Sequence, residues 1–362
     1  MQGAVAAMKP PSEADPILVW GGGAIGGTLA AYWARAGIPV LLVDIVPDHV
    51  EACRTTGLRI EGSIENFTQR VAAATPDELA GVFSRIVLAV KAPSTETALR
   101  ALLPHLAEEG FVLSAQNGLN EIVIAERAGA ERAMGCFVNF GADWLGPGHI
   151  LYGGRGEVVV GEIDGSVRPR TEEMHRLLSI FEPGALLTDN IWGYLWGKLA
   201  FAAMLFATSL NNDGMDANFA APERFPVFNV LAREVMAVAR SQAVSPLPFT
   251  GFDPSAFMAN SPESAARASL AILSQRRRNS AKKHSGFWRD LAVRKRRTEV
   301  DPLMGTVIAL GEQAGVDTPA LRLLVDLVHD IEEGRRELSQ ASFDVLLSAC
   351  VQKTRTADIA QA

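Results

Sequence analysis

Glycines 21, 23 and 26 of the stretch Gly21-Gly22-Gly23-Ala24-Ile25-Gly26 stand in a G-x-G-x-x-G spacing. Such a turn lets a backbone approach a diphosphate. Gly21 allows the turn, Gly23 the close approach, and Gly26 the packing of helix on strand. Ala24 and Ile25 open the helix, whose free N–H groups and positive end would hold the phosphates. The context supports a binding turn over a bare glycine-rich loop. Ile17–Trp20 before it reads as a buried strand, and Thr28–Ala34 after it as a helix stopped at Gly37. Asp44 ends the next strand-like run, Val40–Val43, eighteen residues past Gly26. A carboxylate there accepts hydrogen bonds from the adenine ribose hydroxyls of NAD and repels the 2′-phosphate of NADP. Ile45-Val46-Pro47 offer no arginine to hold that phosphate, so NAD is the expected cofactor, with NADP left open.

Lys198 stands almost without polar company in Leu195-Trp196-Gly197-Lys198-Leu199-Ala200-Phe201. Burial disfavours its charged form, and a lysine tuned in this way passes a proton near neutral pH. The alternative is a lysine that snorkels to water from a helix end. Glu299 follows a basic run and reads either as the partner that keeps Lys198 protonated or as an ordinary carboxylate at a helix start. Asn117 falls on the turn after a strand, at the edge where ligands bind in such sheets. With Gly118 it also makes a common turn pair. Lys91 ends a strand at the same edge and is read as a contact to cofactor ribose or phosphate, or as an exposed loop lysine.

The elements that must position these residues alternate strand and helix through the first half of the chain, as a doubly wound sheet requires. Helix is expected over 47–57, 94–103 (with Ser94 as N-cap) and 167–181. Strands are expected over 58–60, 67–73, 86–90, 111–114 and 134–139. The segments 150–152 and 157–161, joined by Gly153-Gly154-Arg155-Gly156, read as a hairpin at the sheet edge. From about Asn190 the alternation stops, and helices are expected over 192–210, 225–242, 261–278, 300–314 and 319–333. The fold expected is α/β: a tail over 1–15, a dinucleotide-binding Rossmann domain over 16–189, and an all-α substrate domain over 190–352. The run 192–210 approaches membrane-spanning length, but Lys198, Gly193 and Gly197 favour a buried helix.

The composition fits a globular chain with a sizeable core: 362 residues, 48% hydrophobic and 21% charged. A net charge of −7 gives no global reason to expect nucleic acid or an acidic membrane as partner. Cys53, Cys136 and Cys350 lie far apart, without metal-ligand spacing, so no metal and a reduced cytoplasm are expected. Residues 276–297 nevertheless carry ten basic side chains, with Asp290 as the one acid among them. This local positive field would draw in an anionic substrate or the dinucleotide, or serve as a solvated helix face.

Together these motifs resemble the ketopantoate reductase (2-dehydropantoate 2-reductase) family over about 17–333. The resemblance rests on the glycine turn, Val90-Lys91-Ala92, Gln116-Asn117-Gly118, Leu145-Gly146-Pro147-Gly148, Trp196-Gly197-Lys198-Leu199, His284-Ser285-Gly286 and Thr298-Glu299-Val300-Asp301. It implies a Rossmann domain, a helical domain and an active site between them. It also implies Lys198 as general acid, Glu299 as substrate-binding and catalytic partner, and Asn117 beside the nicotinamide and the reacting carbonyl. The chain departs from the family pattern at Ala202 and Phe206, where asparagines are usual, at Gly286 in place of a serine, and by one residue inserted between Asp290 and Glu299. Loss of polar groups from a pocket shifts it toward apolar substrates. The expected activity is therefore reduction of a 2-keto acid or related ketone more apolar than ketopantoate. The alternatives are an NAD-linked dehydrogenase oxidising a secondary alcohol or hydroxy acid, and a non-catalytic dinucleotide sensor. The expected partner is a small-molecule keto or hydroxy compound, with a homodimer left open.

Overall fold

The computed structural model describes residues 15–278 and 283–361. The chain begins β1 (Ile17–Trp20), α1 (Ala24–Arg35), β2 (Val40–Val43), α2 (Pro47–Thr55), β3 (Leu58–Glu61), β4 (Phe67–Gln69), β5 (Ala72–Ala74) and β6 (Phe83–Leu88). It continues with α3 (Thr95–Leu102), β7 (Leu106–Ser114), α4 (Asn120–Ala128), β8 (Ala133–Val138), β9 (Gly141–Gly146), β10 (His149–Gly154), β11 (Val158–Glu162), α5 (Pro169–Phe181) and β12 (Leu186–Leu187). Helices follow: α6 (Ile191–Ala207), α7 (Met215–Ala220), α8 (Phe225–Ser241), α9 (Glu263–Arg278), α10 (Gly286–Ala292), α11 (Thr306–Ala314), α12 (Pro319–Glu332) and α13 (Gln340–Gln361). The N-terminal tail, apart from Asp15, lies outside the described residues. Asp15 itself is tied down, since Oδ1 accepts the Ser84 N–H at 3.3 Å.

Eight strands form one sheet in the order β12-β11-β8-β7-β6-β1-β2-β5. Every neighbouring pair is parallel except β11 with β8. The strand order reverses between β1 and β6. In such sheets ligands bind in the crevice outside the carboxyl ends at this reversal. The strands are apolar on both faces, and two separate cores form, one above the sheet and one below it. The fold class read from the sequence, a Rossmann-type sheet followed by helices, is the one observed.

Two local expectations fail. The segments 150–152 and 157–161 do not form a hairpin. β10 pairs instead with β9 and β3 in a second sheet of order β4-β3-β10-β9. β11 returns to the main sheet against β8. The tight turn is at Gly146-Pro147-Gly148, where Gly148 has φ +67°. The glycine run 153–156 is a crossing between sheets, and a Cβ on Gly156 would lie 2.0 Å from the Asn139 carbonyl oxygen. The second failure is Ser94, which makes no capping hydrogen bond to α3. The short 3₁₀ turn Ala92–Ser94 runs directly into the helix, so Ser94 already has helical dihedrals and cannot cap it.

The apolar run 192–210 forms α6, capped by Asn190, whose Oδ1 accepts the Gly193 N–H at 2.9 Å. Among the described residues no helix is long and apolar enough to cross a membrane. α6 is buried on nearly every side because it lies between the other helices and the sheet. Its core includes Phe137 of β8 and Val159 of β11.

The glycine turn supplies a direct test of this packing. A Cβ on Gly26 would sit 2.1 Å from the Gly21 carbonyl oxygen, whereas one on Gly23 meets nothing within 4 Å. Gly26→Ala is expected to lower stability by about 1–3 kcal/mol, the range for overpacking. Gly23→Ala should stay within about 0.5 kcal/mol of the parent. Urea unfolding of the two variants measures the difference; equal midpoints would contradict this packing.

Candidate active site

The crevice at the strand-order reversal is lined by the ends of β1, β2, β6, β7 and β8. After β1, Gly21 adopts φ +105° and is wedged against Val90, so the chain turns at once into α1. The open space at Gly23 lies where the backbone faces outward at the start of α1, a helix start with unpaired N–H groups. Asp44, at the end of β2, folds its carboxylate onto this turn. Oδ2 accepts the Gly22 N–H at 2.7 Å, and Oδ1 accepts the Val46 N–H at 2.9 Å. An ionised carboxylate has about four acceptor positions, so two hydrogen bonds leave room for ribose hydroxyls. The donor set and the unfilled cradle at Gly23 therefore fit a dinucleotide. Sequence reasoning missed His49, buried beneath the turn, where Nδ1 accepts the Gly148 N–H at 2.9 Å. Burial pushes its pKa down, which keeps it neutral there.

Lys198 projects from α6 onto the ends of β7 and β8. Its Nζ donates to Asn117 Oδ1 at 2.7 Å and to the Val138 carbonyl oxygen. It also lies 5.3 Å from the centre of the Phe137 ring. Burial pushes its pKa down to about 8, with Glu299 acting in the opposite direction. It does not snorkel to water. Asn117 is held in turn, because its carbonyl oxygen accepts from Asn120 Nδ2 at 2.7 Å. Asn120 Oδ1 accepts from the Thr95 hydroxyl at 2.8 Å, and that hydroxyl accepts from Gln116 Nε2, also at 2.8 Å. Only the polarity of Gln116 and Asn120 in the sequence hinted at this buried network.

Glu299 reaches the crevice from the helical side. Its Oε1 accepts the Ala92 N–H at 3.1 Å, and Oε2 stands 3.9 Å from Lys91 Nζ. Its approach is set by Thr298, whose N–H and hydroxyl both donate to Glu332 of α12 at 2.7 Å. A π-helical turn, Asp301–Gly305, follows it into α11. Lys91 is exposed on its loop and bonds the buried Asp290 at 3.1 Å. Asp290 also accepts from Arg294 and Arg296, each at 2.9 Å. Arg289 pairs with Asp143 of β9 at 2.7 Å. Arg289, Arg294, Arg296 and Arg297 are thus tied into ion pairs, while Arg276, Arg278, Lys283 and Lys295 are exposed, as a solvated face requires; Lys282 lies outside the described residues. The sequence signal for Asp290 was its being the single acid among ten bases. Lys295, in the segment with the extra residue, takes a left-handed φ of 50°.

Two family models match this chain: "Ketopantoate reductase PanE/ApbA" over residues 17–165 and its C-terminal counterpart over 190–332. The chain belongs to the ketopantoate reductase family. A 2-dehydropantoate 2-reductase from Archaeoglobus fulgidus is 27% identical over 323 residues, which cover 88% of this chain and 98% of that protein. A PanE/ApbA family ketopantoate reductase from Ralstonia eutropha has a TM-score of 0.71 at 27% identity, covering 88% of this chain and 99% of that one. A D-mandelate dehydrogenase solved with NADH and anilino(oxo)acetate has a TM-score of 0.76, covering 88% of this chain and 98% of its own. At 20% identity that likeness is one of fold. Ketopantoate reductases are oxidoreductases that act on CH–OH groups.

Against that family pattern, the positions that lose amides are filled by carbon. Ala202 is buried, and Phe206 is wholly buried and stacks on Phe287, with ring centres 3.7 Å apart and 11° between planes. Ser285 is occupied in capping α10, its Oγ accepting the Trp288 N–H at 3.1 Å.

The depressed pKa of Lys198 has a consequence for stability. The folded state binds this proton less tightly than the unfolded chain, whose lysine titrates near 10.5. The penalty is complete below about pH 8 and is relieved as pH rises toward 10.5. The melting temperature of the parent relative to Lys198→Met should therefore rise between those limits. A difference that stays flat across that window would contradict a buried ammonium.

Proposed function

We propose that this chain reduces a 2-keto acid or related ketone carrying an apolar or aromatic side chain, with NADH preferred as the reductant. The observation that carries the proposal is the lysine ammonium held between Asn117 and the Val138 carbonyl at the mouth of the dinucleotide crevice. The bound dinucleotide supplies the hydride. As negative charge develops on the carbonyl oxygen, Lys198 donates a proton to it. A donor with a pKa near 8 is well matched to this task at neutral pH. Asn117 fixes the direction of the ammonium. Glu299 favours the charged lysine and stands where a substrate hydroxyl would meet a carboxylate. The Phe206–Phe287 stack and Ala202 put carbon where the family pattern has amides, and loss of those donors supports a substrate more apolar than ketopantoate.

Following NADH oxidation across aliphatic and aromatic 2-keto acids, ketopantoate included, tests the substrate class. Lys198→Ala should reduce kcat by about 10²–10⁴-fold, the usual worth of a general acid. Near-normal turnover in that variant would remove its role.

The carboxylate of Asp44, already seated on the glycine turn, supports NADH over NADPH and also supports a second reading: oxidation of a secondary alcohol or hydroxy acid by NAD, with neutral Lys198 as base. For either direction, kcat/KM should be higher with the unphosphorylated cofactor. Asp44→Asn should narrow that preference by relieving repulsion of a 2′-phosphate. A parent enzyme that prefers NADPH would overturn this assignment of Asp44. Calorimetric binding of NADH without turnover of any compound would instead favour a dinucleotide sensor.

A further inference from the structure

Behind Lys198 lies a carboxyl group that the proposed chemistry does not use. Glu121, in the first turn of α4, is wholly buried, and neither of its side-chain oxygens makes a hydrogen bond. It packs over β8 where Gly135 leaves space: a Cβ there would stand 3.5 Å from Glu121 Cγ. Ile191 of α6 meets β8 at the same point, 2.7 Å from that Cβ, so Glu121 and α6 pack against one spot of the strand, and Ser114 of β7, Cys136 of β8 and Lys198 of α6 bear on it electrostatically. The acid of α3, Glu96, is paired outward with Arg127 at 2.9 Å. Burial pushes the Glu121 pKa up to about 8, and the charge of the Lys198 ammonium offsets only part of that. A buried carboxyl without partners destabilises a fold. A glutamine or an aliphatic side chain would fill the same volume without an ionisable group. Such a group beside a reacting centre is a mark of function.

We propose that Glu121 tunes the proton affinity of Lys198. It enters the resting enzyme as a neutral acid, and its ionisation as pH rises holds the ammonium on Lys198. The first proton to leave the pair is then shared between two arrangements: neutral acid with neutral amine, and carboxylate with ammonium. Attraction between the charges favours the second, so Lys198 stays a proton donor to higher pH than its burial alone allows. Glu121 acts through Lys198, as a positioning residue, and the proposal rests on Lys198 as the proton donor.

The test reads the lysine directly and needs no substrate. The full chain contains seven lysines, so ¹³Cε-labelled lysine gives a tractable spectrum, with Lys198 assigned by its loss in Lys198→Met. Titration of the parent and of Glu121→Gln between pH 6 and 10.5 should place the Lys198 midpoint at least about half a unit lower in the variant. Coincident midpoints would overturn the proposal, whatever the kinetics of Lys198→Ala say about the reaction. A second readout uses stability. The raised folded-state pKa makes Glu121 costless below about 4.5 and most destabilising above about 8. Glu121→Gln should melt with the parent at pH 4.5 and above it at pH 8.5. Should Glu121→Gln fail to fold, Glu121→Met carries both measurements. A parent as stable as the neutral variant at pH 8.5 would mean that Glu121 is not the buried acid required.

Discussion

The contact on which the rest of the structure depends is the ammonium of Lys198 against the Val138 carbonyl and the Asn117 side chain. α6 is apolar on nearly every face, and a helix of that kind is driven into the interior wherever it fits. It carries one charge with it. Removing a cation from water without acceptors costs several kcal/mol, so the helix docks where acceptors stand ready. The carboxyl ends of β7 and β8 provide them, and Lys198 comes to rest at the rim of the crevice as a result of packing. The helical half and the sheet half thus meet at this charged atom.

Around that atom the charges are arranged in opposing pairs. Asp290, buried among Lys91, Arg294 and Arg296, absorbs part of the basic stretch that gives this acidic chain its local positive field. Arg289 reaches across to Asp143 on the second sheet. Lys91–Asp290 and Arg289–Asp143 join the two halves. The interior of the helical half is carbon instead, with Phe206 stacked on Phe287.

Much of this architecture was legible because its signals are local. The glycine spacing, the apolar runs of β1 and β2 and the long helices of the second half each declare themselves within a dozen residues, and they fixed the fold class. Asn117 and Glu299 carried local signals, a strand end and a helix start, whereas Lys198 lies in mid-helix and stood out by its apolar neighbours. What could not be read depends on distant partners. β3 finds β10 some ninety residues later in the chain, and nothing in either short run specifies the other. That is why Ile150–Tyr152 was matched with its sequence neighbour instead. The hub at Asp290 and the isolation of Glu121 are likewise properties of the assembled interior. A carboxylate looks the same in sequence whether three cations or none surround it.

One feature bears on how this crevice tolerates change. Glu299 grips the sheet half through the main-chain N–H of Ala92, not through a side chain. Every residue type but proline presents that group alike. The hold thus depends on the carboxylate at 299, whereas at 92 the side chain matters only for packing, being small and buried. The clasp between the halves is asymmetric in its exposure to mutation: one end is a specific side chain and the other a main-chain group.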